Sequence, residues 1–169
     1  MVKKEGMFNL PNYIPDGFCL ECRQCCRFLT ENDDWRPCTF GPERCDPEIN
    51  AACGTDKYIK TTPYNDVWAC KLLTPENNHC TVYKKRPFEC SLYPFILRSQ
   101  DDKVYVAAHL GCPYLQQTFG TDAFNEYVER LKVFFADEAI LNKIASDRDT
   151  AGDYAGYGPE LTNLFVLPL

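Results

Sequence analysis

The sequence predicts an α+β fold: a small cysteine-rich domain with a β-hairpin and C-terminal helices. Three patterns carry this. Eleven of the 169 residues are cysteine, and four of them crowd into Cys19–Cys26. Pro94–Ala108 reads as two apolar runs about a polar turn, and beyond Gly120 apolar side chains fall at helical spacing. A chain of 169 residues suits one core, so residues 1–169 read as a single domain. Within it, the cysteine-cluster core spans about residues 18–113 and a helical part about 114–169.

In chain order, residues 1–18 carry Gly6, Pro11, Pro15 and Gly17 and no sustained period, which predicts an irregular lead-in. Residues 30–62 are polar, with turn signals at Asp33-Asp34, Gly41-Pro42 and Asp46-Pro47, and predict a long insertion with at most short helices. Trp68–Leu73 and Cys80–Tyr83 are short apolar runs on either side of Thr74-Pro75-Glu76-Asn77-Asn78, whose Pro and Asn residues favour a turn. Pro87 is placed to open a helical turn, because its missing N–H is not needed at the first helical position. Pro94–Arg98, Ser99–Asp102 and Lys103–Ala108 read as strand, turn and strand. Thr121 can cap a helix whose Phe124, Tyr127, Val128, Leu131, Phe134 and Phe135 form a core-facing stripe, and a second helix is expected over Asp137–Ala145. Cys70, Cys80 and Cys90 recur at ten-residue intervals, each followed two and three positions later by apolar side chains, which reads as one reused local shape.

Charge and hydropathy narrow the function classes. Twenty-four acidic residues against 18 basic ones give −6, so the basic field that nucleic-acid binders need is missing. Met1–Tyr13 has Lys3 and Lys4 but then polar residues and Pro11, so it reads neither as a signal peptide nor as an anchor. No stretch approaches about 18 apolar residues in a row. The expectation is a cytoplasmic chain with no nucleic-acid or membrane partner.

The eleven cysteines are Cys19, Cys22, Cys25, Cys26, Cys38, Cys45, Cys53, Cys70, Cys80, Cys90 and Cys112. A disulfide framework fits poorly: the number is odd, reduced thiols are the rule without export, and a domain of this length does not need staples. Burial as small apolar residues accounts for a few of them, not for four within eight positions. Metal binding remains. Cys19-x-x-Cys22-x-x-Cys25 lets a tight loop turn three thiolates toward one centre while backbone N–H groups point at sulfur, as a [4Fe–4S] cluster requires. The fourth ligand must come from elsewhere, and Cys112-Pro113, 87 residues beyond Cys25, has the Cys-Pro form of the ferredoxin pattern. Adjacent Cys25 and Cys26 suit two neighbouring centres, or one ligand beside one core residue. Zinc competes, since Cys₄ sites are common, but it usually joins two Cys-x₂₋₄-Cys knuckles and only one is present here. The spacing therefore favours iron–sulfur over zinc and leaves both open. A thiol–disulfide oxidoreductase places Cys-x-x-Cys after a buried strand, and Pro15-Asp16-Gly17-Phe18 does not read as one.

Cys19-Leu20-Glu21-Cys22-Arg23-Gln24-Cys25-Cys26 resembles the signature of the cysteine-cluster CxxCxxCC (YkgJ-like) family of zinc- or iron-chelating proteins. A second block is similar to the same family: Trp68-Ala69-Cys70-Lys71-Leu72-Leu73, His79-Cys80-Thr81-Val82-Tyr83, Arg86-Pro87-Phe88-Glu89-Cys90 and Tyr93-Pro94, with Cys112 standing where the family often has its last cysteine. The resemblance covers about residues 18–113. The family includes flagellin lysine-N-methylase, which the resemblance associates with an iron–sulfur cluster and S-adenosylmethionine. It implies Cys19, Cys22, Cys25, Cys26, Cys70, Cys80, Cys90 and Cys112 as cofactor and metal ligands, and carries nothing over to Cys38, Cys45 or Cys53. The sequence offers no glycine-rich strand-to-helix loop for a nucleotide-like cofactor, which leaves methyl transfer an alternative.

Other residues have plainer readings beside the functional ones. Lys84-Lys85-Arg86 is a charge run of the kind that is usually solvated, yet Arg86 can brace thiolates or carbonyls, and with Tyr83 it is placed beside the ligands. His79 and His109 read as surface or hydrogen-bonding histidines instead of ligands. Tyr83 and Tyr93 read as core residues with hydroxyls at the edge. The apolar end Leu161–Leu169 docks on its own domain or binds a partner. No Ser-His-Asp set, phosphate loop or His-Glu-x-x-His is present. The expectation is a metal-binding protein carrying one or two [4Fe–4S] clusters, with a redox or sensing role and a redox or protein partner. The alternatives are a structural zinc protein and a protein-lysine N-methylase; as an enzyme it would be an oxidoreductase or a protein-lysine N-methyltransferase, with catalytic residues not identified.

Overall fold

The computed structural model describes Phe8 and residues 10–169. The reading of Met1–Tyr13 as neither leader nor anchor therefore falls largely outside the described residues, as does the first part of the lead-in. The chain mixes helix and sheet in the α+β manner and divides into two units, the first ending at Ser91 and the second beginning at Leu92.

The first unit opens with helix α1, Asp16–Cys22, where the sequence reading expected irregular chain leading into a tight loop. The reason is local. Pro15 turns the chain into the helix, its carbonyl accepts from the N–H groups of Phe18 and Cys19 at 3.0 and 3.3 Å, and Asp16 sits in the first turn where the helix dipole favours negative charge. Arg23, with φ 54°, ends it in the left-handed conformation. The polar middle of the unit is short elements, as expected: strand β1 (Arg27–Phe28), a 3₁₀ turn at Gly41–Cys45 and helix α2 (Pro47–Ala52). Helix α2 starts at Asp46, whose carboxylate accepts from the N–H groups of Glu48 and Ile49, and it buries Ile49 and Ala52. Strands β2 (Thr61–Tyr64) and β3 (Val67–Cys70) form a hairpin, and β1 adds to the other side of β3 for the order β1-β3-β2, all antiparallel. Strands β4 (Leu73–Thr74) and β5 (His79–Cys80) flank the expected turn. A 3₁₀ turn at Tyr83–Lys85 and helix α3 (Phe88–Leu92) follow, with Pro87 just ahead of α3.

The ten-residue recurrence of cysteine is not one reused shape. Cys70 ends β3, Cys80 ends β5 and Cys90 lies in α3. The apolar neighbours Leu72, Leu73, Val82 and Leu92 are buried in each case, but the turn before β5 and the proline before α3 impose different backbones on the same spacing. The core of this unit joins Phe28, Ile49, Ala52, Ile59, Ala69, Leu72, Leu73 and Val82 with the thiols of Cys53 and Cys70, and Cys26, Trp35, Trp68 and Cys80 pack against it.

The second unit matches its sequence pattern closely. Strands β6 (Phe95–Gln100) and β7 (Lys103–His109) pair antiparallel with Gln100 opposite Lys103, so the turn is two residues, Asp101 and Asp102, both at positive φ. After helix α4 (Pro113–Thr118), helix α5 (Asp122–Phe134) begins where Thr121 Oγ1 accepts from Phe124 N–H at 3.3 Å. Of its stripe, Phe124, Tyr127, Leu131 and Phe135 are buried, and Phe95 stacks on Tyr127 and Phe124. Helix α6 (Glu138–Ser146) starts at Asp137, whose side chain accepts from Ala139 and Ile140 N–H. The apolar end of the chain becomes strand β8 (Leu161–Val166), which pairs antiparallel with β7. Among the described residues no helix is long and apolar enough to cross a membrane.

Candidate metal centre

Cys19 and Cys22 ride on α1, spaced by about one helical turn, and both are partly buried. Cys25 and Cys26 occupy the turn that follows, closed by Arg27 N–H donating to the Gln24 carbonyl at 2.9 Å. The Cys26 carbonyl accepts from Cys70 N–H at 2.9 Å, which ties this turn to the end of β3. Cys80 lies opposite Leu73 across the β4–β5 pair, and Cys90 sits partly buried on α3. All eleven cysteines are in the thiol form.

Helix α1 buries no residue of its own, so its position needs another cause. Asn78 supplies it. Buried in the β4–β5 turn at φ 59°, it donates through Nδ2 to the carbonyls of Cys19 and Leu20 at 3.0 and 2.8 Å, groups that the last turn of a helix leaves without intrahelical partners. Its Oδ1 accepts from Arg27 Nη1 at 2.6 Å, and the same guanidinium reaches the Pro75 carbonyl at 3.1 Å and the Arg23 carbonyl at 3.3 Å. Two side chains thus bind the cysteine-bearing helix to the turn ahead of Cys80.

The thiols lie within electrostatic reach of one another. Cys25 interacts with Cys22, Cys26, Cys70 and Cys80, and Cys70, Cys80 and Cys90 interact among themselves. A hydrogen bond with Cys26 pushes the Cys25 thiol well above the ordinary thiol range, and burial pushes Cys70 up to about 11. Burial also raises Cys80, and it raises Cys90 strongly, with Cys70 and Cys80 adding to the shift. Arg86 acts in the opposite sense on Cys25, Cys80 and Cys90. Among the described residues, no three His, Cys, Asp or Glu side chains draw together closely enough to form a metal-holding group. Burial disfavours the bare thiolate at Cys70, Cys80 and Cys90.

Cys112 belongs to the second unit, buried at the N-terminal end of α4. Cys38 and Cys53 are buried in the first unit, where Cys53 Sγ lies 3.4 Å from Thr39 Oγ1, and Cys45 is exposed. His79 is exposed. His109 is buried between Tyr93 Oη at 3.0 Å from its Nδ1 and Glu160 Oε2 at 3.2 Å from its Nε2, the hydrogen-bonding role expected of it. Sequence reasoning missed Asn78 and Arg27, which tie the cysteine-bearing helix to the turn ahead of Cys80. The one available signal was the Asn77-Asn78 pair in a turn beside Cys80. Comparison with protein-family models, with curated proteins and with solved structures finds no match.

Proposed function

We propose that the first unit binds a soft metal centre through cysteine thiolates, as an iron–sulfur cluster of the [4Fe–4S] kind, and serves a redox or sensing role. The observation that carries this reading is the convergence of two independent cysteine segments. The Cys19–Cys26 segment and the Cys70, Cys80 and Cys90 positions come from distant parts of the sequence, yet Cys70 N–H donates to the Cys26 carbonyl at 2.9 Å and Cys25 lies within electrostatic reach of Cys70 and Cys80. Cys19, Cys22, Cys25 and Cys26 supply one set of thiols and Cys70, Cys80 and Cys90 the other; Cys112, which the resemblance also implied, belongs to the second unit and is left out of this set. A bound cluster of this kind takes up and returns single electrons. The chain's part is to supply sulfur, to hold the helix bearing Cys19 and Cys22 through Asn78, and to shield Cys70 within its core.

A structural zinc site is the second reading, favoured by one observation. Cys25 lies within electrostatic reach of Cys70 and Cys80, and those two of Cys90, on separate segments, and zinc is commonly held by four such thiolates. Anaerobic purification with iron, zinc and acid-labile sulfide counted per chain separates the two. About four irons and four sulfides with a brown absorption near about 400 nm support the cluster. A colourless protein with stoichiometric zinc establishes the second reading, and a chain that takes up neither overturns both.

A further inference from the structure

We propose that the sheet face turned away from α5 binds a phosphate group, with Arg98 as its anchor and Lys103 and Tyr105 beside it. Every residue of this site belongs to the second unit, and the proposal stands apart from the cysteines.

The strand register assembles the site. Directly opposite residues of an antiparallel pair point to one side, and so do alternate positions along a strand. Arg98 opposite Tyr105 and Gln100 opposite Lys103 therefore share a face. The other face carries Phe95, Leu97 and Val106, all buried, with Phe95 stacked on Phe124 and Tyr127 of α5. From β8, Asn163 joins the first face: its Oδ1 accepts from Arg98 Nη1 at 3.3 Å and its Nδ2 donates to Gln100 Oε1 at 3.0 Å.

Arg98 is half-buried and its charge is unspent. Its Nε is buried with no hydrogen-bond partner, and the one bond its guanidinium makes goes to the neutral amide of Asn163. Among the described residues no carboxylate pairs with it. The acid nearest in the chain to its edge contact is Asp153, which follows Gly152 and turns its Oδ1 to Ala155 N–H at 3.2 Å. Lys103 is exposed and Tyr105 half-buried, and neither side chain has a polar partner among the described residues. Two cations and a phenol hydroxyl thus share one surface without an anion. A buried donor on a charged group is costly to leave unbonded, and folded chains keep few of them. Nη2 is neither bonded nor sealed from solvent, so an anion reaches the guanidinium there. A phosphate oxygen at Nη2 offsets the desolvated charge by Coulomb attraction and leaves further oxygens for Lys103 Nζ and the Tyr105 hydroxyl. A phosphate monoester carries three such oxygens and a carboxylate two, which favours phosphate for three donors on one face.

The test is a ³¹P NMR titration of the full chain with inorganic phosphate and with methyl phosphate, at ionic strength held constant with sodium chloride. Wild type is expected to bind saturably, Arg98→Met at least about tenfold more weakly and Lys103→Gln about threefold more weakly. Tighter binding of methyl phosphate supports a phosphorylated small molecule as ligand, and tighter binding of inorganic phosphate supports the free ion. Urea unfolding in chloride gives a second readout: Arg98→Met is expected to unfold at the same urea concentration as wild type or higher, because it removes an orphaned buried donor. Added phosphate should then raise the midpoint of wild type and not of the variant. Absence of saturable binding of both probes to wild type overturns the proposal, and so does unchanged affinity in Arg98→Met. If Arg98→Met does not fold, the exposed Lys103→Gln decides: weaker binding supports the site and unchanged affinity overturns it.

Discussion

Asn78 shows how one side chain can fix a cysteine-bearing helix far from it in the chain. It is buried, it holds a positive φ, and it satisfies two carbonyls of α1 and one guanidinium at once. Asn78→Ala is expected to destabilise the first unit by about 2–3 kcal/mol, from orphaned partners together with a left-handed backbone that alanine disfavours. Asn78→Gly removes the side chain without the backbone strain, so urea unfolding of the two variants separates the contributions, with glycine the less damaging. Glu89 offers a second test at this scale. It is half-buried, accepts from Cys38 N–H at 2.6 Å, and burial raises its carboxyl from 4.5 to about 8, with the Glu43 carboxylate adding to the rise. The folded chain therefore holds a proton that the unfolded chain has released. The stability this proton gives is fully present below about pH 4.5 and falls as pH rises, to be gone above about pH 8. Unfolding at pH 5 and pH 8.5 should show wild type losing stability that Glu89→Gln, which keeps an acceptor oxygen, does not lose. Neither role was legible in sequence, because nothing in the residue type tells which carbonyl or amide it will meet.

Among the elements, those defined by local chemistry were legible. The hairpin of β6 and β7, the capped start of α5 and the start of α6 all follow from side chains within a few residues of one another. The turn between β6 and β7 is tighter than the sequence reading placed it, two residues instead of four, because the polar Ser99 and Gln100 still pair across to Val104 and Lys103. Asp101 and Asp102 both hold positive φ there, at 50° and 58°. Glycine at the second position is the preferred solution for such a turn, so Asp102→Gly is expected to raise the melting stability of the chain by about 0.5–1 kcal/mol. The Arg148 contact, made to the backbone oxygen of Asp102, survives that change. Helix α1 is the opposite case. Its seven residues show no apolar stripe and include Gly17, and it buries nothing. A helix that short is marginal alone, and it persists because Asn78, some sixty positions away, holds its carbonyls.

For the whole molecule, the division at Ser91 and Leu92 gives the two units separate reporters. The chain's two tryptophans, Trp35 and Trp68, both pack against the core that includes Cys70, with Cys26 and Cys80 alongside. Metal uptake should therefore shift tryptophan emission and raise the unfolding midpoint seen by fluorescence. A helical signal dominated by α5 and α6 should move less, and equal shifts in both would place the metal's effect outside the first unit. By itself, the sequence determined the α+β composition, the hairpin, the capped helices of the second unit and the two cysteine segments, since each depends on periodicity, capping and spacing within a short window. Only the tertiary structure decided that Cys70 N–H meets the Cys26 carbonyl, that Cys70, Cys80 and Cys90 sit on three different backbones, and that Asn78 holds the carbonyls of α1. Those facts depend on contacts between residues far apart in the chain, where burial and hydrogen bonding, and not local propensity, select the partner.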